Sequence, residues 1–301
     1  MGLIHEIKPS FSGHETFPLR HGWLEKAYHA VVNNKKNPFL QEDAISEFGV
    51  GKNMVNAIRY WSVATGFIEA QDDEIRVSEY SRVLIENERD PFLENLDTIW
   101  KIHYELVKNP KNTSAHWLFS YFNENVFDRN LAVSRITDFL ILHGINKLPA
   151  EKTLLADINV TLANYCPNNS ISRREDDIGS PLCELKLIRR GEDNRFVFNL
   201  GSKRSLSQEL FLECLVNYWE YESRRLKQNI NSFKLEQLLH DPLTPGRIFL
   251  LGEKELAERL ENIEETSEGA LIWSETAGIS EVRKTNHYDQ QELSQKWLSK
   301  I

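Results

Sequence analysis

The 301-residue sequence lacks several features that assign a protein class directly. Its three cysteines, Cys166, Cys183 and Cys214, are too few and too scattered for a disulfide framework or a zinc site. No stretch approaches eighteen consecutive apolar residues, so no membrane-spanning helix is predicted. The N-terminus "MGLIHEIKPS" lacks the basic start and apolar run of a signal peptide. These absences predict a soluble protein of a reduced, cytosolic compartment.

Common catalytic signatures are absent as well. GxSxG, HExxH and CxxC do not occur, and the pair Gly51 and Lys52 lacks the upstream glycine of a Walker loop. Hydrophobic residues make up 41% of the chain and aromatic residues 10%, which is ordinary for a globular protein and argues against disorder. The length is sufficient for two or three compact modules.

Negative charge predominates, with a formal net charge of −9. Residues 171–227 are nevertheless balanced, with eleven Lys or Arg against ten Asp or Glu. The acidity lies outside them, in stretches such as "EKELAERLENIEETSE". Attraction to phosphate acts within a Debye length of about 10 Å, so a local basic surface is enough to bind DNA. The net charge disfavours nucleic acid as a partner without excluding it.

Residues 41–85 carry the clearest architectural pattern. A short helix, the turn "GVGKN", a second helix over about 52–65 and two alternating strands, "FIEA" and "EIRVS", follow a first helix that begins near Gly22. This order predicts a winged helix. Its second helix carries polar side chains opposite the core that suit phosphates and base edges, namely Lys52, Asn53, Asn56 and Arg59. A solvated face or a protein-interaction module is the alternative interpretation.

The remaining pattern predicts a mainly α fold with small β wings, in which tandem winged-helix-like modules are joined by a helical region. Residues 91–150 read as wholly helical, and the second, weaker module contains the strand "RFVFNLG" after the turn "GEDN". The predicted divisions are 1–90, 91–150, 151–240 and 241–301. In the last division we expect a Pro/Gly turn, a short strand and an amphipathic helix. Basic side chains of the second module are candidate DNA contacts, with surface solubility as the alternative: Arg173, Arg174, Arg189, Arg190, Arg195, Lys203 and Arg204.

The stretch "SFSGHETFPLRHGW" is the candidate catalytic segment. His14 offers a general base or metal ligand, Glu15 a carboxylate, Arg20 a guanidinium for phosphate and His21 an acid or ligand. Phosphodiester cleavage needs such parts. A nuclease also needs further carboxylates, and the candidates are Asp72, Asp73, Asp176 and Asp177. The structural alternative is a turn capped by Glu15 and Thr16, with Arg20 in a buried ion pair.

Both ends of the chain resemble one bacterial domain-of-unknown-function family. The resemblance lies in the segment "SFSGHETFPLRHGWL" at the start, and in "TPGRIFLLGEKEL" and "GALIWSETAGISEV" near the end. Members of this family occur with DNA phosphorothioation systems, in which a cysteine desulfurase and an ATP pyrophosphatase-like protein insert sulfur into the DNA backbone. A member of the family, the Ssp-type B component, is described as a DNA-nicking protein. The resemblance implies a nick that exposes a backbone phosphate to the sulfur-transfer machinery.

Three hypotheses follow. The first is a phosphorothioation protein that binds double-stranded DNA and nicks one strand, with Mg²⁺ or Mn²⁺ as the cofactor. The second is a non-catalytic DNA-binding adaptor that recruits the sulfur-transfer proteins, namely the desulfurase, the pyrophosphatase-like protein and an ATPase, with its acidic C-terminal helix docking a basic partner. The third is a transcription regulator of the same defence system. Whether the chain is an enzyme, which metal it uses and whether it forms a homodimer stay open.

Overall fold

The computed structural model describes residues 8–34, 36–71, 74–166, 179–276 and 278–301. They form two compact units. Among the described residues, the N-terminal unit comprises 8–118 together with Phe122–Phe198, and the C-terminal unit comprises Asn199–Ile301 together with Phe119–Tyr121. Within the described ranges, no helix is both long enough and apolar enough to cross a membrane.

Three helices and a hairpin open the described chain. They are α1 (Trp23–Asn33), α2 (Ala44–Phe48), α3 (Lys52–Ala64), β1 (Ile68–Gln71) and β2 (Glu74–Val77). The apolar spacing explains α3, because Val55, Ile58, Trp61 and Ser62 face the core and are at most 3% exposed. Gly66 follows the helix with φ +69°, the left-handed conformation that favours glycine. The predicted helices and strands are confirmed here, and their identity as a winged helix stays a prediction.

A helical region follows the hairpin. Its elements are α4 (Glu79–Ile85), α5 (Leu96–Lys108), α6 (Thr113–Ser120), α7 (Arg129–Leu142) and α8 (Glu151–Tyr165). The prediction that residues 91–150 are wholly helical is wrong at one place, because Val126–Phe127 forms the short strand β3. Phe127 pairs with Phe196 of a strand 69 positions further along the chain. A local helical pattern cannot reveal such a pairing, since its partner is distant in sequence.

The second hairpin lies in the N-terminal unit. β4 (Ile188–Arg190) and β5 (Phe196–Phe198) pair antiparallel, and β3 joins the other side of β5. The row Phe127, Phe196 and Arg190 occupies one face of this sheet, while Val126, Val197 and Arg189 occupy the other. The predicted strand at "RFVFNLG" is therefore confirmed. The assignment of 151–240 as a second winged-helix-like module stays a prediction, as do the four predicted divisions of the chain.

The C-terminal unit is built around one long helix and a three-stranded sheet of order β6-β8-β7. Its elements are α9 (Gln208–Leu226), β6 (Ser232–Lys234), α10 (Leu235–His240), α11 (Pro245–Ile248), α12 (Glu253–Glu261), α13 (Ile263–Thr266), β7 (Leu271–Thr276), β8 (Ile279–Lys284), α14 (Gln290–Leu293) and α15 (Lys296–Lys300). The short strand predicted after "DPLTPG" is wrong, because Pro245–Ile248 forms a helical turn. Thr244 caps this turn by accepting the Arg247 N–H, and proline at the first position favours it.

Candidate functional site

The candidate segment forms a tight loop before α1. Ser12, Glu15 and Thr16 have positive φ values of 67°, 49° and 66°. The Glu15 N–H donates to the Ser12 carbonyl at 3.1 Å, and the Phe17 N–H donates to the His14 carbonyl at 2.9 Å. Non-glycine residues seldom adopt this conformation, and three of them within five positions need support from their surroundings. The loop therefore depends on contacts with the rest of the unit.

Helix α8 supplies one set of these contacts through a buried polar stripe. Asp157, Thr161 and Asn164 are at most 6% exposed and share one face, since they are four and three positions apart. Asp157 Oδ2 accepts the Ser12 N–H at 2.7 Å, and Asn164 Oδ1 accepts the Leu19 N–H at 2.9 Å. The stripe thus holds both ends of the loop by its backbone. Sequence reasoning missed these residues, because α8 carries other polar side chains such as Lys152 and Asn159, and no local signal marks the buried ones.

His14 lies inside the unit and is 2% exposed. Its Nδ1 accepts the Thr16 N–H at 3.1 Å, so the ring proton resides on Nε2. Nε2 then donates to Asp157 Oδ1 at 3.1 Å. The ring also stacks on Trp61, with centroids 6.0 Å apart and planes at 13°. Both ring nitrogens are therefore occupied within the unit, and His14 acts as an anchor of the loop.

Helix α3 supplies the second set of contacts. Trp61 Nε1 donates to the Phe17 carbonyl at 2.9 Å. Gly13 lies against the Tyr60 ring so closely that a Cβ there would stand 2.6 Å from Cδ2. Burial, and then the charge of Asp157, raises the pKa of Tyr60 well above its usual range, so this hydroxyl stays protonated. The loop is consequently clamped between α3 and α8.

Glu15 brings the loop to the polar face of α3. Its Oε1 accepts a hydrogen bond from Asn56 Nδ2 at 3.2 Å. Both residues are partly exposed. Lys52, Asn56 and Arg59 form one stripe at positions i, i+4 and i+7, and Lys52 and Arg59 are about 10 Å apart along the helix axis. The described residues place no carboxylate within 4.0 Å of either cation. Asn53 is exposed beside Lys52.

Arg20 and His21 point to other neighbours. The Arg20 guanidinium lies over Trp23 and Phe17, with its Cζ 5.5 and 5.9 Å from the two ring centroids. Within the described ranges it forms no ion pair with Glu15, which sets aside the buried-pair alternative. His21 Nε2 is 3.5 Å from Glu184 Oε1, and both side chains are about one-third to one-half exposed. Glu15 and His21 are thus accessible, whereas no hydrogen bond or ion pair joins them to each other.

The other candidate DNA contacts differ in exposure. Arg189 and Arg195 are exposed on the second hairpin. Arg190 instead lies over the Phe196 ring, with its Cζ 5.4 Å from the centroid, and Arg129 lies 4.9 Å from the same centroid. Sequence reasoning did not single out Arg129. Stacked guanidinium groups keep their charge while the ring fixes their orientation.

Lys203 and Arg204 belong to the C-terminal unit. Lys203 is 6% exposed and its Nζ donates to the Asn199 carbonyl at 2.6 Å. Burial lowers the pKa of Lys203 to about 8, which weakens it as a permanent phosphate ligand. Arg204 is exposed and lines, with Lys203 and Glu255, a cleft of about 280 Å³.

Some candidates lie outside the described residues. They are Arg173 and Arg174, and the possible extra carboxylates Asp72, Asp73, Asp176 and Asp177. Among the residues that are described, no group of three or more His, Cys, Asp or Glu is placed to share one metal ion. Mg²⁺ is usually held by one or two carboxylates, waters and substrate phosphates. The described side chains therefore form no such cluster for Mg²⁺ or Mn²⁺, and an ion held by one or two of them would need water or substrate phosphate as further ligands.

Comparison with known proteins agrees with the resemblance in the sequence. The chain is similar to a magnesium ion-bound SspB crystal structure at 27% identity and TM-score 0.82, covering 96% of this chain and 88% of that chain. A second SspB crystal structure matches at 28% identity, with the same TM-score and coverage. No curated protein matches. The family described as "Protein of unknown function (DUF4007)" matches residues 11–300, and the chain therefore belongs to that family.

Proposed function

We propose that this chain is a DNA-binding component of a bacterial DNA phosphorothioation system. Two lines support the assignment to such a system: membership of the DUF4007 family and similarity to SspB over 96% of the chain. In this proposal the N-terminal unit contacts double-stranded DNA. The proposal includes the nick that the family resemblance implies. It also includes the later insertion of sulfur by the partner proteins.

One observation supports DNA binding best. The N-terminal loop, which carries the family signature, contacts the polar face of α3. The Glu15–Asn56 hydrogen bond brings the loop and the helix together. Lys52 and Arg59 stand on either side of Asn56, and both are available for phosphate. Asn56 keeps its Oδ1 as an acceptor, since only Nδ2 is engaged by Glu15. This surface offers cations for the backbone and an amide and a carboxylate for base edges.

Glu15 has a distinct role in the proposal. A carboxylate on a DNA-facing surface repels phosphate, so within DNA binding its use is to orient a neighbour or to accept from a base amino group such as that of cytosine. Its bond to Asn56 fixes the amide with Nδ2 toward the loop. The loop itself is fixed by Asp157 and Asn164. The buried clamp thus determines where Glu15 meets DNA.

The test is a fluorescence anisotropy titration of labelled duplex DNA with the full chain. Removing both cations, Lys52→Ala with Arg59→Ala, is expected to weaken binding because two phosphate contacts are lost. The matched control, Lys147→Ala with Lys254→Ala, removes two exposed lysines outside α3 and is expected to leave affinity nearly unchanged. Equal losses in both double variants would attribute binding to net charge, and reject α3 as the contact surface.

Strand nicking is the second candidate function, and the accessible Glu15 in a strained loop is the observation that favours it. The assay follows supercoiled plasmid to open circle with and without Mg²⁺ or Mn²⁺. Glu15→Gln keeps the hydrogen-bond acceptor for Asn56 and removes the charge, so its loss of nicking would indicate a chemical role for the carboxylate. Highly purified protein that only shifts DNA mobility would leave the adaptor or transcription-regulator function.

The proposed partners of the adaptor function are the desulfurase, the pyrophosphatase-like protein and the ATPase of the same system. Pull-down of each purified protein by this chain, with and without DNA, separates the alternatives. An adaptor retains these proteins without cutting DNA. A regulator binds a defined DNA sequence and retains none of them.

A further inference from the structure

The outer edge of strand β7 in the C-terminal unit is unpaired. The sheet order β6-β8-β7 places β7 at one edge. The Thr285 N–H donates to the Ala270 carbonyl, so even-numbered positions of this segment bond inward to the β8 side. The backbone N–H and carbonyl of Leu271 face the outer edge of the sheet, and both are hydrogen-bonded to the Ser267 hydroxyl. The next outward backbone groups are those of Trp273 and Glu275.

These outward groups lack partners in the part of the chain that the structure describes. No hydrogen bond reaches the N–H or carbonyl of Trp273 or Glu275 from any described residue outside the β7–β8 pair. Both residues are accessible, since Trp273 is partly exposed and Glu275 is exposed. Two adjacent outward positions form a short template for a further antiparallel or parallel strand.

Trp273 indicates that the sheet is incomplete on its core face. It stands in one row with Val282 and Phe233, which are 0% and 4% exposed. Trp273 is the outermost member of this row and is only partly buried. An added strand with an apolar side chain opposite Trp273 would cover the ring, and a large aromatic group gains most from such burial.

The negative charge around this edge favours a ligand with basic side chains. Helix α13 packs beside β7, and it exposes Glu264 and Glu265, which form no ion pair with any described residue. Glu275 adds a third carboxylate at the other end of the strand. The nearby Lys296 and Lys300 are already paired with Glu268 and Glu209. An extended segment that alternates apolar and basic side chains fits this surface.

We infer that the β7 edge binds an extended, Lys- or Arg-rich segment of a partner protein by adding a strand to the sheet. A second copy of this chain fits less well. Antiparallel pairing of two β7 strands about Ser274 would bring Glu264 and Glu265 of one copy toward Glu275 of the other, where like charges repel. Backbone groups of Trp273 and Glu275 provide the hydrogen bonds, Trp273 the apolar contact and the three glutamates the charge preference.

The test uses the full chain and a short synthetic peptide of alternating Lys and Val, with the corresponding Glu–Val peptide as control. Hydrogen exchange by NMR should show the Trp273 and Glu275 amides protected on binding the Lys–Val peptide. The Ile272 and Ser274 amides already bond to β8 and should not change. The Glu–Val peptide should bind at least about tenfold more weakly, because it opposes three carboxylates.

Two further comparisons make the result specific. N-methylation of the peptide at one set of alternate positions should abolish binding, and at the other set should leave it unchanged, because only one edge of the peptide pairs with β7. In the chain, Glu275→Pro removes the outward N–H at an edge position that tolerates proline, and should weaken binding about tenfold relative to Glu275→Gln. The peptide comparison uses the unaltered chain, so it stands even where the proline variant fails to fold.

Four outcomes would overturn the inference, and three of them concern the peptides. They are the absence of saturable binding by the Lys–Val peptide, equal binding of both N-methylated forms, and equal binding of the acidic peptide. A fourth is concentration-dependent dimerisation in analytical ultracentrifugation that Glu275→Pro abolishes, which would assign the edge to a second copy of the chain.

Discussion

Asp157→Asn tests the clamp that positions the N-terminal loop. In the folded chain, Oδ1 accepts from His14 Nε2 and Oδ2 accepts from the Ser12 N–H. An asparagine offers only one oxygen, so its amide NH₂ must face one of these two donors. His14 cannot adapt by moving its proton to Nδ1, because Nδ1 accepts the Thr16 N–H. One donor is therefore left without this acceptor in every arrangement, either the buried His14 Nε2–H or the partly buried Ser12 N–H.

The expected loss of stability follows from that mismatch. An unsatisfied buried donor costs about 1–3 kcal/mol, and the facing amide of the introduced asparagine lacks a partner too, so we expect about 2–4 kcal/mol in the free energy of unfolding. Asp138→Asn on α7 is the matched control, since Asp138 is 63% exposed at its side chain and should shift the value by under about 0.5 kcal/mol. Urea unfolding followed by circular dichroism measures both.

A double-mutant cycle with His14→Ala then isolates the pair. The coupling free energy between positions 14 and 157 is expected at about 1.5–3 kcal/mol, as for a hydrogen bond to a charged group. A coupling near zero, or an Asp157→Asn chain as stable as the unaltered protein, would refute the clamp. His14 would then be available for the catalytic role that its residue type suggests.

Three other predictions follow from local geometry. Gly13→Ala should destabilise the fold by about 1–3 kcal/mol because the new Cβ meets the Tyr60 ring, and Tyr60→Leu in the same chain should recover part of the loss in urea unfolding. Since burial lowers the pKa of Lys203 from 10.5 to about 8, the unfolded chain binds more protons between these values. The free energy of unfolding of the unaltered chain should therefore rise relative to that of Lys203→Met as the pH increases from about 8. The same pH dependence of this free energy in both chains would contradict the burial of the amine. Removing Lys52 and Arg59 should make the slope of log affinity for DNA against log salt less negative by about 1.8 in anisotropy titrations, and an unchanged slope would mean that neither contacts phosphate.

Sequence patterns predicted the local elements well and the distant contacts poorly. The spacing of Val55, Ile58 and Trp61 was sufficient for α3, because a helix face is decided within a few turns. β3 was missed because a two-residue strand has no period of its own and exists through its pairing with β5. The helical turn after Thr244 was also missed, because the apolar run "IFLL" suits a strand and a buried helix equally.

The candidate site shows the same division. The loop around Gly13 was recognised from its composition, and its turn is present. The role of His14 depended on Asp157, which is 143 positions away in the sequence and whose place on α8 no local pattern reveals. A histidine with no visible partner reads as available for chemistry, whereas this ring has both nitrogens bonded. Glu15 and Asn56 were each singled out for separate reasons, and their contact emerged only from the structure.

The clamp on α8 also sets an order of events during synthesis. Ser12 and Leu19 bond to residues made 145 positions later. At about 5–20 residues per second, a ribosome needs roughly 7–30 s to produce that stretch, and closing a loop of this length costs about 4 kcal/mol in chain entropy. Helix α3 can therefore fold well before the loop that completes its polar face. The nascent chain acquires its proposed DNA-contacting surface only after α8 has left the exit tunnel.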